Sequence, residues 1–131
     1  MTRVILVALL VSITSLWACA TASLPLATSA GVDPAAAKHN AEGIEQYTMG
    51  HWDGAKTHFE AAIRVDPGLV EAHYNLALTL DKLGAHAEAT DHFKKAGELA
   101  PGYSAITNSS AYRSHVGPPP RERSGGYGGM Y

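Results

Sequence analysis

Apolar residues in the second half of the chain return at helical spacing. Leu76, Ala77, Leu80 and Leu83 stand at i, i+1, i+4 and i+7, which places them on one face of a helix. Gly84 follows with the backbone freedom that ends a helix in a left-handed cap. Ala89, Phe93 and Ala96 then recur at i, i+4 and i+7, the face of a second helix. Pro101 closes it, because proline cannot continue the hydrogen-bond ladder. Small alanines facing a large phenylalanine let two helices approach and interlock. The pattern predicts a helix-turn-helix unit.

The unit occurs twice. At a shift of 34 residues, His39, Gly50, Ala55, His58, Phe59, Ala62, Pro67 and Gly68 are repeated as His73, Gly84, Ala89, His92, Phe93, Ala96, Pro101 and Gly102. Eight identities over residues 39–68 compare with roughly two expected from average residue usage. A fixed period of this size marks stacked supersecondary units. Asp33-Pro34 reads as the start of the first helix, with aspartate as N-cap and proline at the first helical position.

The order small residue, turn glycine, alanine, aromatic, alanine, proline at this period resembles the tetratricopeptide repeat. It is carried by Gly43, Gly50, Ala55, Phe59, Ala62 and Pro67, and again by Ala77, Gly84, Ala89, Phe93, Ala96 and Pro101. Three departures stand out. Glu42 occupies the position of the family's leucine in the first unit and Gln46 that of its tyrosine, while Gly97 replaces a bulky residue late in the second, weakening that helix by roughly 1 kcal/mol relative to alanine. The resemblance implies an all-α fold of two repeats, 34–67 and 68–101, within residues 33–101. Two units are fewer than the three that usually bury a continuous core. A short capping helix within residues 102–116, using Ile106, Ala111 and Tyr112, is the expected cover for Phe93. The alternative is self-association through the open end.

The two ends have another character. Arg3 and the apolar run Val4–Leu16 have the charge and length of a secretory signal, too short for a comfortable membrane span. Leu16-Trp17-Ala18-Cys19 is similar to the bacterial lipobox, and Cys19 is the chain's single cysteine. The resemblance implies a signal peptide over residues 1–18 and diacylglycerol on Cys19, with residues 19–32 a small, polar tether. Several acyl chains make a stable anchor. Ala20 lacks the aspartate associated with inner-membrane retention, which points to the outer membrane, facing the periplasm. Small-x-small sites at Ala18-Cys19-Ala20 and Ala20-Thr21-Ala22 leave open release as a soluble secreted protein, and an uncleaved anchor is a third reading. Residues 117–131, rich in proline and glycine, read as a disordered tail.

Composition then narrows the function. Residues 33–101 carry eleven acidic against six basic side chains, and the chain as a whole has a net charge of −2, so no dense phosphate-neutralising patch exists and nucleic acid is not an expected partner. No Gly-rich phosphate loop, nucleophile elbow or HExxH is present, so no catalytic residue, enzyme activity or cofactor is expected. Ser110, Ser114 and His115 lie close in sequence but without an orienting acid. Seven histidines raise the question of metal, yet His51/His58 and His86/His92 lack the i, i+4 spacing that pairs imidazoles on one helix, so no metal site is assigned.

What remains is recognition. The family resemblance implies that first helices line a concave groove, with Asn40, Ile44, Tyr47 and Thr48, then Tyr74, Asn75, Leu78, Asp81 and Lys82, projecting into it. Ile44 stands where the family's carboxylate clamp needs an asparagine, which argues against binding of chaperone tails. The expected protein is a lipid-anchored adaptor that binds a peptide or partner helix in a cell-envelope complex. The rivals are a self-associating structural envelope protein and, less favoured, a soluble secreted metal binder.

Overall fold

The structure, a computed structural model, describes residues 23–118. Cys19 and the expected signal peptide lie outside the described residues, as does the expected tail from residue 119 onward. Among the described residues every regular element is helical: α1 (Pro34–Thr48), α2 (Trp52–Val65), α3 (Val70–Lys82), α4 (His86–Leu99), α5 (Ser104–Thr107) and α6 (Ser110–Val116). None is long and apolar enough to cross a membrane.

Local chemistry sets the helix ends. The Asp33 carboxylate accepts from the Ala35 and Ala36 amides at 2.8 and 3.3 Å, satisfying two of the amides that a helix start leaves unpaired. The α1 and α3 ends are built alike. Gly50 and Gly84 take φ of +77° and +79°, which a side chain would strain. His51 N–H then reaches back to the Gln46 carbonyl and Ala85 N–H to the Leu80 carbonyl, both at 2.9 Å. This double turn satisfies the last carbonyls and reverses the chain into α2 and α4.

Helices α1 and α2 form one antiparallel hairpin and α3 and α4 a second, with α2 packed on α3. Phe59 and Phe93 are wholly buried, as are Ala55, Ala62, Ala89 and Ala96 around them. Gly43 permits a close approach of α1 and α2: a methyl group there would meet the Phe59 ring at 2.5 Å. Leu83, read from its spacing as part of the α3 core face, instead caps the helix and is 37% exposed.

The cover for Phe93 is two short helices rather than one. Asn108 and Ser109 interrupt the chain, and Ser109 Oγ caps α6 by accepting from the Tyr112 amide at 3.2 Å. Ile106 is buried, and Tyr112 meets Phe93 edge-on at 6.3 Å between ring centroids. Gly97 explains itself here, since a Cβ at that position would overlap the Tyr112 hydroxyl. The residue that weakens α4 is the one that lets α6 dock.

Candidate functional site: the concave face

Ten consecutive α3 residues, Glu71 to Leu80, are buried. A helix with one face in a groove would alternate, so something covers the concave side. That cover is the chain itself. Residues Ser23 to Ser29, expected to be part of a free tether, run antiparallel to α3 across this face. Leu26 N–H donates to Asn75 Oδ1 at 2.6 Å, while the Leu26 carbonyl accepts from Asn75 Nδ2 at 2.8 Å and from Asn40 Nδ2 at 3.0 Å. The second Asn75 Nδ2 hydrogen goes to Asn40 Oδ1 at 2.9 Å. Both asparagines are therefore buried with their hydrogen bonds made, as burial of an amide requires.

One turn away on α3, the buried Glu71 carboxylate accepts from the Ser29 amide at 3.2 Å and the Ser29 hydroxyl at 2.5 Å. At the other end, Ser23 Oγ accepts from the Ala111 amide at 3.1 Å and lies 3.1 Å from Ser110 Oγ. Leu26 packs against the core, while Leu24 is 69% exposed.

The predicted groove residues thus divide. Asn40 and Asn75 grip the segment, with Glu71 a third contact that the sequence reading missed. Tyr74 belongs to the core, edge-on to Phe93 at 5.7 Å, and Leu78 is buried with it. Tyr47 packs on Trp52 at 4.9 Å, and burial pushes its hydroxyl pKa up, keeping it neutral. Ile44 is half-buried against the same core. Lys82 and Thr48 are exposed, and with Tyr47, Trp52 and Pro25 they line a depression of about 350 Å³ beside the segment. The hollow expected to lie free is filled along its centre, and this depression stays open beside the segment.

Asp81 turns from the groove to the cap. Its Oδ1 accepts from His86 Nδ1 at 2.7 Å and His115 Nε2 at 3.1 Å, so His115 does have an orienting acid, contrary to the sequence expectation. The hydroxyl beside it is Thr90, 2.9 Å from His115 Nδ1, not Ser110 or Ser114. Thr90 donates to the His86 carbonyl at 2.8 Å, so its proton is committed to the helix rather than to a base. The arrangement ties α3, α4 and α6 together.

Two antiparallel helix pairs, with equivalent glycine turns and equivalent buried phenylalanines, define a helical-repeat interaction module. A family model described as tetratricopeptide repeat matches residues 40–104, and the two helix pairs are tetratricopeptide-like repeats. Such repeats mediate protein–protein interaction. Comparison with curated proteins finds no match.

Proposed function

We propose that this protein is a membrane-tethered adaptor whose concave face binds an extended peptide of a cell-envelope partner. One observation carries the choice of ligand: Asn75 pairs with both main-chain groups of a single residue, Leu26. A helical ligand has those groups bonded internally and could not offer them, so an extended strand is favoured over a partner helix. In this reading Ser23–Ser29 is a resident occupant that a partner displaces.

Lipidation of Cys19 gives this a spatial consequence. Ser23 lies four positions after Cys19, a reach of at most about 14 Å. With the segment docked, the concave face is held near the bilayer surface. With it released back to Asp33, the reach grows to roughly 50 Å. The outer membrane, facing the periplasm, is proposed from the lipobox and Ala20.

The experiment is partner capture from cross-linked membranes. Replacing Ser23–Ser29 by glycine and serine should raise capture, and Asn75→Ala in that background should abolish it with helicity retained. Equal capture by both proteins would remove the concave face from the reading. Tyr74 is unsuitable as a probe because it is a core residue. Cys19→Ser should move the protein from the membrane to the soluble fraction, and an unchanged distribution would sink the lipid anchor.

Self-association has one route open to it. Helix α6 covers Phe93, the surface that head-to-tail stacking would use, but the Ser23–Ser29 contacts could equally be made by exchange between copies. A mass by light scattering that doubles with concentration would favour that reading.

A further inference from the structure

We propose that His39, Glu42 and His58 form a binding site for a divalent transition-metal ion of the zinc class, with a fourth position open to water or to a ligand from a partner. The site lies between α1 and α2. Asn40 reaches the Ser23–Ser29 segment, while His39 and Glu42 meet His58 of α2. His39 Nδ1 lies 3.3 Å and His58 Nδ1 3.2 Å from the same oxygen, Glu42 Oε2. The three donor atoms are all within 4.8 Å of one another. Zinc binds imidazole nitrogen and carboxylate oxygen at about 2.0–2.2 Å, so neighbouring ligands at a tetrahedral angle stand roughly 3.3–3.4 Å apart. Two edges of such a tetrahedron are already in place.

Hydrogen bonding does not account for the cluster. His39 Nδ1 is sealed from solvent and has no hydrogen-bond partner among the described residues, although a carboxylate oxygen is 3.3 Å away. Buried polar atoms almost always find a partner, and a lone pair directed at a cation would supply one. The contrast with Asp81, His86 and His115 is instructive. There the distances of 2.7 and 3.1 Å are hydrogen bonds, and His115 Nδ1 has Thr90 Oγ1 beside it at 2.9 Å, so no ring nitrogen is sealed off without a hydrogen-bond partner as His39 Nδ1 is.

The second repeat supplies an internal control. Its equivalent histidines, His73 and His92, stack at 5.3 Å between centroids and join Nδ1 to Nδ1 at 3.0 Å. Leu76 occupies the position of Glu42 there and is buried in the core. In the first repeat the rings stand 6.2 Å apart with the carboxylate between them. The departure at Glu42 adds a ligand where the repeat would place a leucine. Each of the three side chains is about a third exposed, which gives an ion access. Lys38 approaches the other carboxylate oxygen, Oε1, at 3.8 Å and leaves Oε2 to the histidines.

The test uses purified protein stripped with chelator, titrated with Zn²⁺ by calorimetry and with Co²⁺ by absorption. One ion per chain is expected, with a tetrahedral Co²⁺ spectrum. Glu42→Leu copies the second repeat and should fold at least as well, yet weaken binding by more than about 100-fold, beyond the loss from removing a residue that only orients a ligand. His58→Ala should do the same, and His86→Ala should change nothing. No binding by the stripped protein, binding that survives Glu42→Leu, or binding lost in His86→Ala overturns the proposal.

Discussion

Asn75 holds Leu26 by both of its main-chain groups, donating to its carbonyl and accepting from its amide across 49 positions of sequence. No side-chain identity at Leu26 enters that pair. The contact therefore reads an extended backbone, with specificity left to neighbouring pockets, and it places residues before the first helix in the middle of the domain.

Removing the Asn75 amide should free the segment while the repeats stay folded. Asn75→Ala leaves the Leu26 amide and Asn40 Oδ1 without a partner, at about 1–3 kcal/mol for a buried group, while the Leu26 carbonyl keeps Asn40 Nδ2. Amides at Leu26 and Ser29 should then exchange with deuterium much faster, with little change around Phe59 and Phe93. Protection that persists at Leu26 would show that Asn40 and Glu71 suffice to hold the segment.

Gly97→Ala sets two effects against each other. Alanine favours the helix by roughly 1 kcal/mol, but its methyl would overlap Tyr112, and overpacking of this kind costs about 1–3 kcal/mol. The collision should win, lowering the melting temperature and exposing α6 amides to exchange. Combining it with Tyr112→Leu should remove the collision, so that the second change partly offsets the first in a double-mutant cycle.

The turn glycines should behave as a matched pair. With φ near +80° at both Gly50 and Gly84, an alanine at either costs about 1–2 kcal/mol. Equal losses in urea unfolding are expected. A clear loss at one and none at the other would show that the two turns are not equivalent in energy.

Stability should fall in mild acid because of His73 and His92. Burial lowers the pKa of both, so the folded state binds fewer protons there than the unfolded chain does. His73 Nε2–H donates to the Pro67 carbonyl at 3.0 Å, which leaves its Nδ1 as acceptor for His92 Nδ1–H. Protonation would set two N–H groups against each other. The contribution is complete above the ordinary histidine value of about 6.5 and is lost as pH falls from there through the lowered folded values. Unfolding free energy followed from pH 7.5 downward should drop more steeply for the wild type than for His92→Gln. Parallel curves would mean that other groups set the acid sensitivity.

The 34-residue period, the glycines, the alanines and the two phenylalanines determined the hairpins from sequence alone, because helix faces and turns are local properties of spacing and backbone freedom. The occupied groove was not legible in that way. Asn75 recognises backbone atoms that every residue possesses, so nothing in Ser23–Ser29 marks it as a ligand for a helix 49 residues on. The histidine and carboxylate cluster was hidden for a related reason: His39 and Glu42 share α1, but His58 reaches them only once α2 folds back, a distance no spacing rule along one helix would test. Which faces exist follows from local periodicity. What covers them, and which side chains meet across them, depends on how the helices pack, and that only the tertiary structure decided.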